Sequence, residues 1–198
     1  MSTLLRASEL AQRVVVTFGG EDIAQIKDVV YAANGGHIGS FTLAGRGLFA
    51  GPLKVALPWS GVVALGPDAL IIESQDVLVP LAEAFESDGS GRSVGTGRGD
   101  ILRSEVLTDT GVSLGVVTDV IIGIAGGRES QADVVGYQIE PAESLGRGKL
   151  PLLIPLPDVL SASGQHLMVP AAAANYLSDD LAAFGSAVDA FRSQLGGV

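Results

Sequence analysis

Few side chains in this sequence could do chemistry. It holds two histidines, His37 and His166, and no cysteine. A zinc site draws three or four nitrogen, sulfur or carboxylate ligands together. Neither histidine has a histidine or cysteine within motif spacing, so no metal site is expected. Serine and histidine meet near His37 and Ser40 only as alternating residues of a strand, and no Gly-x-Ser-x-Gly elbow occurs to present a nucleophile. The glycine-rich stretch from Ser87 to Asp100 lacks the Gly-x4-Gly-Lys-Ser/Thr spacing that cradles phosphate. Asp28 and Asp119 occupy equivalent places in two apolar strands. Paired carboxylates must converge to trade a proton, and these belong to separate copies of a repeat, so each is expected to accept hydrogen bonds from its own backbone. Arg98-Gly99-Asp100 reads as a chance tripeptide. No catalytic, cofactor-binding or metal-binding residue is expected, and the chain reads as non-enzymatic.

The repeat is what would position these residues. Ile23 to Tyr31, a turn at Gly35-Gly36, and His37 to Leu43 read as strand, turn, strand. A second copy follows about ninety residues on. It runs Leu114 to Ile122, then Gly126-Gly127, then Val134 to Ile139, with Asp28-Val29-Val30 over Asp119-Val120-Ile121. Val14 to Thr17 is a β-branched strand closed by a Phe18-Gly19-Gly20-Glu21 hairpin signal. Ser8-Glu9 and Ser104-Glu105 are taken as matching lead-ins, and the second hairpin, ending at Gly111, is taken as shorter. Leu53 to Leu57, Val62 to Leu65 and Ala69 to Ile72 complete the first copy. Leu152 to Ile154, Val159 to Ser161 and His166 to Val169 answer them. About six short strands with regular turn signals predict a small β-barrel in each copy. Leu78 to Phe85 predicts a short helical turn beneath the first.

Bulk composition narrows the partners. Net charge is −10, from 22 acidic against 12 basic residues. The basic residues are scattered, so phosphate backbones and anionic membrane surfaces are poor partners. No apolar run approaches the roughly 20 residues of a membrane-spanning helix. The N-terminus shows no basic lead and hydrophobic segment, so no secretory leader is expected and the cytoplasm is the expected compartment.

After the second copy the pattern changes to that of a helix. Ser178 reads as its cap, with Asp179 and Asp180 at the positive dipole end. Leu181, Phe184, Val188, Phe191 and Leu195 then form one apolar stripe. Two readings follow: the stripe packs on a barrel of its own chain, or it is a partner or self-association surface, as seam-like spacing allows. Trp59, the single tryptophan, has two readings as well, as core closing the first barrel or as an exposed aromatic anchor for a partner.

These residues resemble the PRC-barrel family, the fold shared by the cytoplasmic domain of the photosynthetic reaction centre H subunit and the C-terminal domain of the ribosome maturation factor RimM. The matching text is Ala24 to Val30, His37 to Phe41 and Val55 to Ile72. In the second copy it is Leu114 to Val120, Val134 to Tyr137 and Ile154 to Val169. The second copy departs in its polar Gly127-to-Asp133 turn and its Pro141-to-Pro151 insert. The resemblance implies a non-enzymatic module that docks onto proteins, with no catalytic residues to carry over. The expected architecture is all-β: two tandem six-stranded PRC-type barrels (1–84 and 101–176), a Gly/Ser-rich linker (85–100) and a C-terminal amphipathic α-helix (177–198). The expected role is an interaction or scaffold protein that binds protein partners and forms homo-oligomers, with no cofactor and no nucleic acid. The alternative is a small-molecule-binding protein using a cleft between the barrels.

Overall fold

A computed structural model of the chain describes residues 3–31, 36–46, 50–86, 101–124, 131–156, 161–163 and 166–195. The protein is mostly β, with two seven-stranded sheets and one long C-terminal helix. It divides into two units. Unit 1 comprises residues 7–98 and 124–133, together with Met1; unit 2 comprises residues 2–6, 99–123 and 134–198. The division departs from the expected boundaries in two short segments, 2–6 and 124–133, and places the C-terminal helix inside unit 2. Residues 87–100 of the expected linker, and Gly35, Gly126 and Gly127 of the turns between the central strands, lie outside the described residues.

In chain order the elements of unit 1 are α1 (Ala7–Leu10), β2 (Val14–Thr17), β3 (Asp22–Tyr31), β4 (Ile38–Ala44), β5 (Pro52–Pro58), β6 (Val62–Leu65), β7 (Ala69–Ile72), β8 (Val79–Pro80) and α2 (Leu81–Glu86). The first strand of the chain, β1 (Thr3–Arg6), belongs to unit 2. The sheet of unit 1 runs β6-β7-β2-β3-β4-β5-β8. Its pairs are antiparallel except that β7 returns parallel beside β2, with Val14 opposite Ala69 and Val16 opposite Ile71. Alternation decides which side is core: Val15, Ala24, Ile26, Phe41, Leu43, Leu57, Leu70 and Ile72 point inward and are buried.

Unit 2 repeats the plan with β9 (Glu105–Thr108), β10 (Ser113–Ile124), β11 (Ala132–Pro141), β12 (Leu152–Pro155), β13 (Ser161–Ser163), β14 (His166–Val169) and α3 (Leu181–Leu195). Its order is β12-β11-β10-β9-β14-β13, with β1 paired to β10. Here β14 lies parallel to β9, with His166 opposite Glu105 and Met168 opposite Leu107.

Backbone hydrogen bonds fix how the copies correspond. Among the described residues, Gln12 and Arg103 are the non-glycine residues with positive φ (71° and 75°). Their N–H groups donate to Ile26 and Val117 carbonyls at 2.8 and 2.9 Å. The N–H groups of Thr17 and Thr108 donate to Glu21 and Val112, both at 2.9 Å. The two hydroxyls accept from the same residues' N–H groups at 3.2 and 2.9 Å. Gly20 and Gly111 both adopt the left-handed conformation that closes the turn (φ 81° and 80°). The two hairpins therefore have equal length, against the expectation of a shorter second one. The Ser8-Glu9 and Ser104-Glu105 lead-ins are not equivalent either: Ser104 corresponds to Arg13, while Ser8 and Glu9 sit in α1.

The cap of the C-terminal helix lies two residues later than expected. Asp180 is the cap, its carboxylate accepting from Ala182 N–H (3.0 Å) and Ala183 N–H (3.3 Å). Ser178 instead forms a two-way backbone bridge with Leu153, at 2.6 and 3.0 Å.

Candidate functional site

The residues singled out from the sequence fall in separate places. On α3, Phe184 and Phe191 are 0% exposed and Val188 is buried. Phe184 and Val188 pack with Ile121, Val135 and Leu153 of their own unit, with Leu4, Leu181 and Ala187 at the margin. The Phe191 ring meets Tyr176 at a centroid distance of 5.3 Å. The Phe184 ring reaches the backbone because Gly136 has no side chain. A Cβ there would stand 2.5 Å from Phe184 Cζ and would also strike the Ile154 carbonyl oxygen. Of the two readings of the stripe, packing on its own unit is the one found for Leu181, Phe184, Val188 and Phe191, so these residues are not an open surface. Leu195 lies on α3, but its side chain is outside the described ones.

Trp59 is half-buried and stacks at a tilt on fully buried Phe41, with centroids 6.0 Å apart. It covers the end of the unit 1 core rather than standing clear of it. Asp28 and Asp119 behave alike, each Oδ1 accepting from the next residue's N–H, Val29 at 2.9 Å and Val120 at 2.8 Å. For Asp28 the bond forms where the β3 register shifts, so its carboxylate serves the bend of its own strand. His37 makes an isolated antiparallel bridge with Asp133, which groups with unit 1.

His166 lies opposite Glu105, Nε2 to Oε2 3.6 Å. The other oxygen of Glu105 accepts from Ser113 Oγ at 2.7 Å. The order is therefore serine, carboxylate, histidine. A histidine that activates a serine must stand between it and the carboxylate, so this half-exposed trio does not form a nucleophile. Among the described residues no group of three or more His, Cys, Asp or Glu could hold a metal ion. Burial pushes the Tyr137 phenol up to about 12.

What the sequence reading missed is a surface. In unit 1 the residues of β2 and β7 that point away from the core are Val14, Val16, Ala69 and Ile71, all partly exposed. Ala64 of β6 sits opposite Ile71 on the same side, and Val63, in the bulge beside it, is 39% exposed. Phe18 carries the outward alternation past the end of β2, its N–H held by the Ile72 carbonyl at 3.0 Å. It is 66% exposed, a large ring left in water at a hairpin turn. The signal was present in Phe18-Gly19-Gly20-Glu21, but a hairpin motif reports backbone shape and hides which way its aromatic points.

Unit 2 uses the same positions differently. Asp109 replaces Phe18, and its carboxylate accepts from Ala171 N–H at 3.0 Å. Glu105 and His166 stand where unit 1 has Val14 and Ala69. Leu107 and Met168 keep the apolar character of Val16 and Ile71, so the unit 1 face is apolar throughout and the unit 2 face is mixed, on the same frame.

A mainly antiparallel sheet in which β7 returns parallel beside β2 defines unit 1 as a small barrel-like β domain. Residues 2–79 match the family model of the PRC-barrel domain, so over this stretch the chain is similar to that family. No curated protein matches the chain. No described helix is long and apolar enough to cross a membrane.

Proposed function

We propose that the protein is a non-enzymatic interaction module that binds a protein partner through the outer face of β2, β7 and β6. The observation that carries the reading is Phe18, exposed at the end of an apolar strip formed by Val16, Ile71, Ala64 and Val63. Contiguous apolar surface on a soluble protein marks an interaction site, and an exposed aromatic is the usual energetic centre of one. We read both units as six-stranded PRC-type barrels in tandem; the parallel return of β7 to β2 and of β14 to β9, which curls each sheet back on itself, supports this. The scaffold role extends the same reading, with the cytoplasm as its place of action.

The test uses the full chain as bait against a lysate, followed by reconstitution with each purified candidate. Phe18→Ser and Ile71→Lys should each abolish a reconstituted complex, and Met168→Lys, at the unit 2 position matching Ile71, should leave it intact. A complex that survives both unit 1 variants refutes the reading.

A further inference from the structure

The chemistry of the partner follows from what surrounds the apolar strip, and this inference rests on the reading above. Next to Phe18 stand exposed Glu21 and, directly after the strand end that holds Phe18 N–H, exposed Glu73; Asp76 lies three residues further on, also exposed. At the opposite end of β2 and β7 are exposed Glu9 and Asp68. The nearby cations are held away from Glu21 and Glu73, Arg13 keeping its charge at the opposite end beside Glu9 and Asp68. Arg13 donates to the carbonyls of Glu9 (2.8 Å) and Gly66 (2.7 Å), and Arg46 pairs with Asp22. Lys27, beyond the start of β2, is the exposed cation left on this side among the described residues. The strip thus has an acidic rim on a chain of net charge −10.

A second copy would bring the same carboxylates against these, which like charge disfavours. The adjoining β6 is the last strand of its sheet. It carries no charge and no proline, the devices that usually blunt an edge. An open edge accepts an extended segment by main-chain pairing, with alternate side chains supplying specificity.

We infer that the face takes an extended segment of another protein in which an apolar anchor is flanked by lysine or arginine. The apolar anchor meets Phe18 and Ile71, and the flanking cations meet Glu21 and Glu73.

The probes are three synthetic peptides of alternating design: Lys-Val-Lys-Phe-Lys-Val, the same with glutamate for lysine, and the same with serine. Binding to the full chain is followed by NMR shifts and by calorimetry at low and high salt. The basic peptide is expected to bind, shift Phe18 and Val63 resonances, and weaken as salt rises. Phe18→Ser should weaken it about ten- to hundredfold, the worth of one buried aromatic. The Glu21→Lys/Glu73→Lys pair should weaken it roughly three- to tenfold, as expected of two exposed ion pairs. If the serine or glutamate peptide binds as well and with the same Phe18 dependence, the charge inference falls while the docking face stands. If no peptide binds in a Phe18-dependent way, both fall. A light-scattering mass of a dimer that Phe18→Ser turns to monomer would make a second copy the occupant and overturn the inference.

Discussion

Replacing Phe184 by alanine separates a helix that completes its own unit from one that serves an assembly. The ring is fully buried against Ile121, Val135, Leu153 and Val188, and lies on bare backbone at Gly136. Buried Phe→Ala changes cost about 3–5 kcal/mol, the spread reflecting how far the site collapses. Collapse is limited here, because one wall of the site is the paired backbone of β11 and β12 rather than mobile side chains. A loss of about 4 kcal/mol, in a chain of this size, lowers the melting temperature by about 8–16 °C. The measurement is thermal unfolding by circular dichroism at two protein concentrations tenfold apart, with mass by light scattering at each. Ala183→Ser, on the exposed side of α3, is the control and should stay within about 0.5 kcal/mol. A loss below about 1 kcal/mol would refute the packing argument. So would a concentration-dependent wild-type transition that the substitution removes, because the stripe would then act between chains.

Two further outcomes follow from burial and topology. Tyr137 is 2% exposed and its folded pKa is raised to about 12. Its contribution is fully present below the unfolded value of about 10 and is lost as pH rises through the folded one, about 3 kcal/mol in all. Tyr137→Phe should flatten that part of the alkaline stability profile, and an unchanged slope between pH about 10 and about 12 would count against it. Removing residues 1–6 takes away β1, the Leu4 contact with the α3 core and the Arg6 Nε bond to Gln138 Oε1 (2.7 Å). Hydrogen exchange should then speed up in β10 and α3 while β2 and β3 keep their protection; the reverse pattern would refute the assignment of β1 to unit 2.

Local signals were enough for the strands, and contacts distant in sequence were not. Alternation and hairpin glycines marked β2 to β7 and their counterparts, because inward positions such as Val15 and Leu70 must be apolar wherever a sheet has one buried face. The stripe on α3 was equally plain, yet the pattern does not say what covers it. That depended on Gly136, which clears space for Phe184 from about fifty residues away and looks like any strand glycine. The lead-in match of Ser8-Glu9 with Ser104-Glu105 failed because two short polar pairs carry little register information. The real correspondence lies in the positive φ of Gln12 and Arg103, which neither residue type announces. The place of β1 was illegible for a different reason: a four-residue strand next to α1 is assigned to the nearer sheet by default, and only the fold gives it to β10.

The two copies make the strongest case that function resides on the outer face. Inward residues answer to folding in both units: Thr17 and Thr108 tie the same turn, and Leu70 and Leu167 fill the same place in the core. Outward residues are free of that constraint, so a difference there needs another cause. Asp109 has one, because it anchors Ala171 within its own unit. Phe18 has no such anchoring role. Its backbone holds the turn through Ile72 and its ring stands in water. Phe18→Ser should therefore leave the melting temperature almost unchanged, within about 0.5 kcal/mol of wild type, while removing the complex. A stability loss well above that would mean the ring supports the turn, and the argument from divergence between the copies would lose its clearest residue.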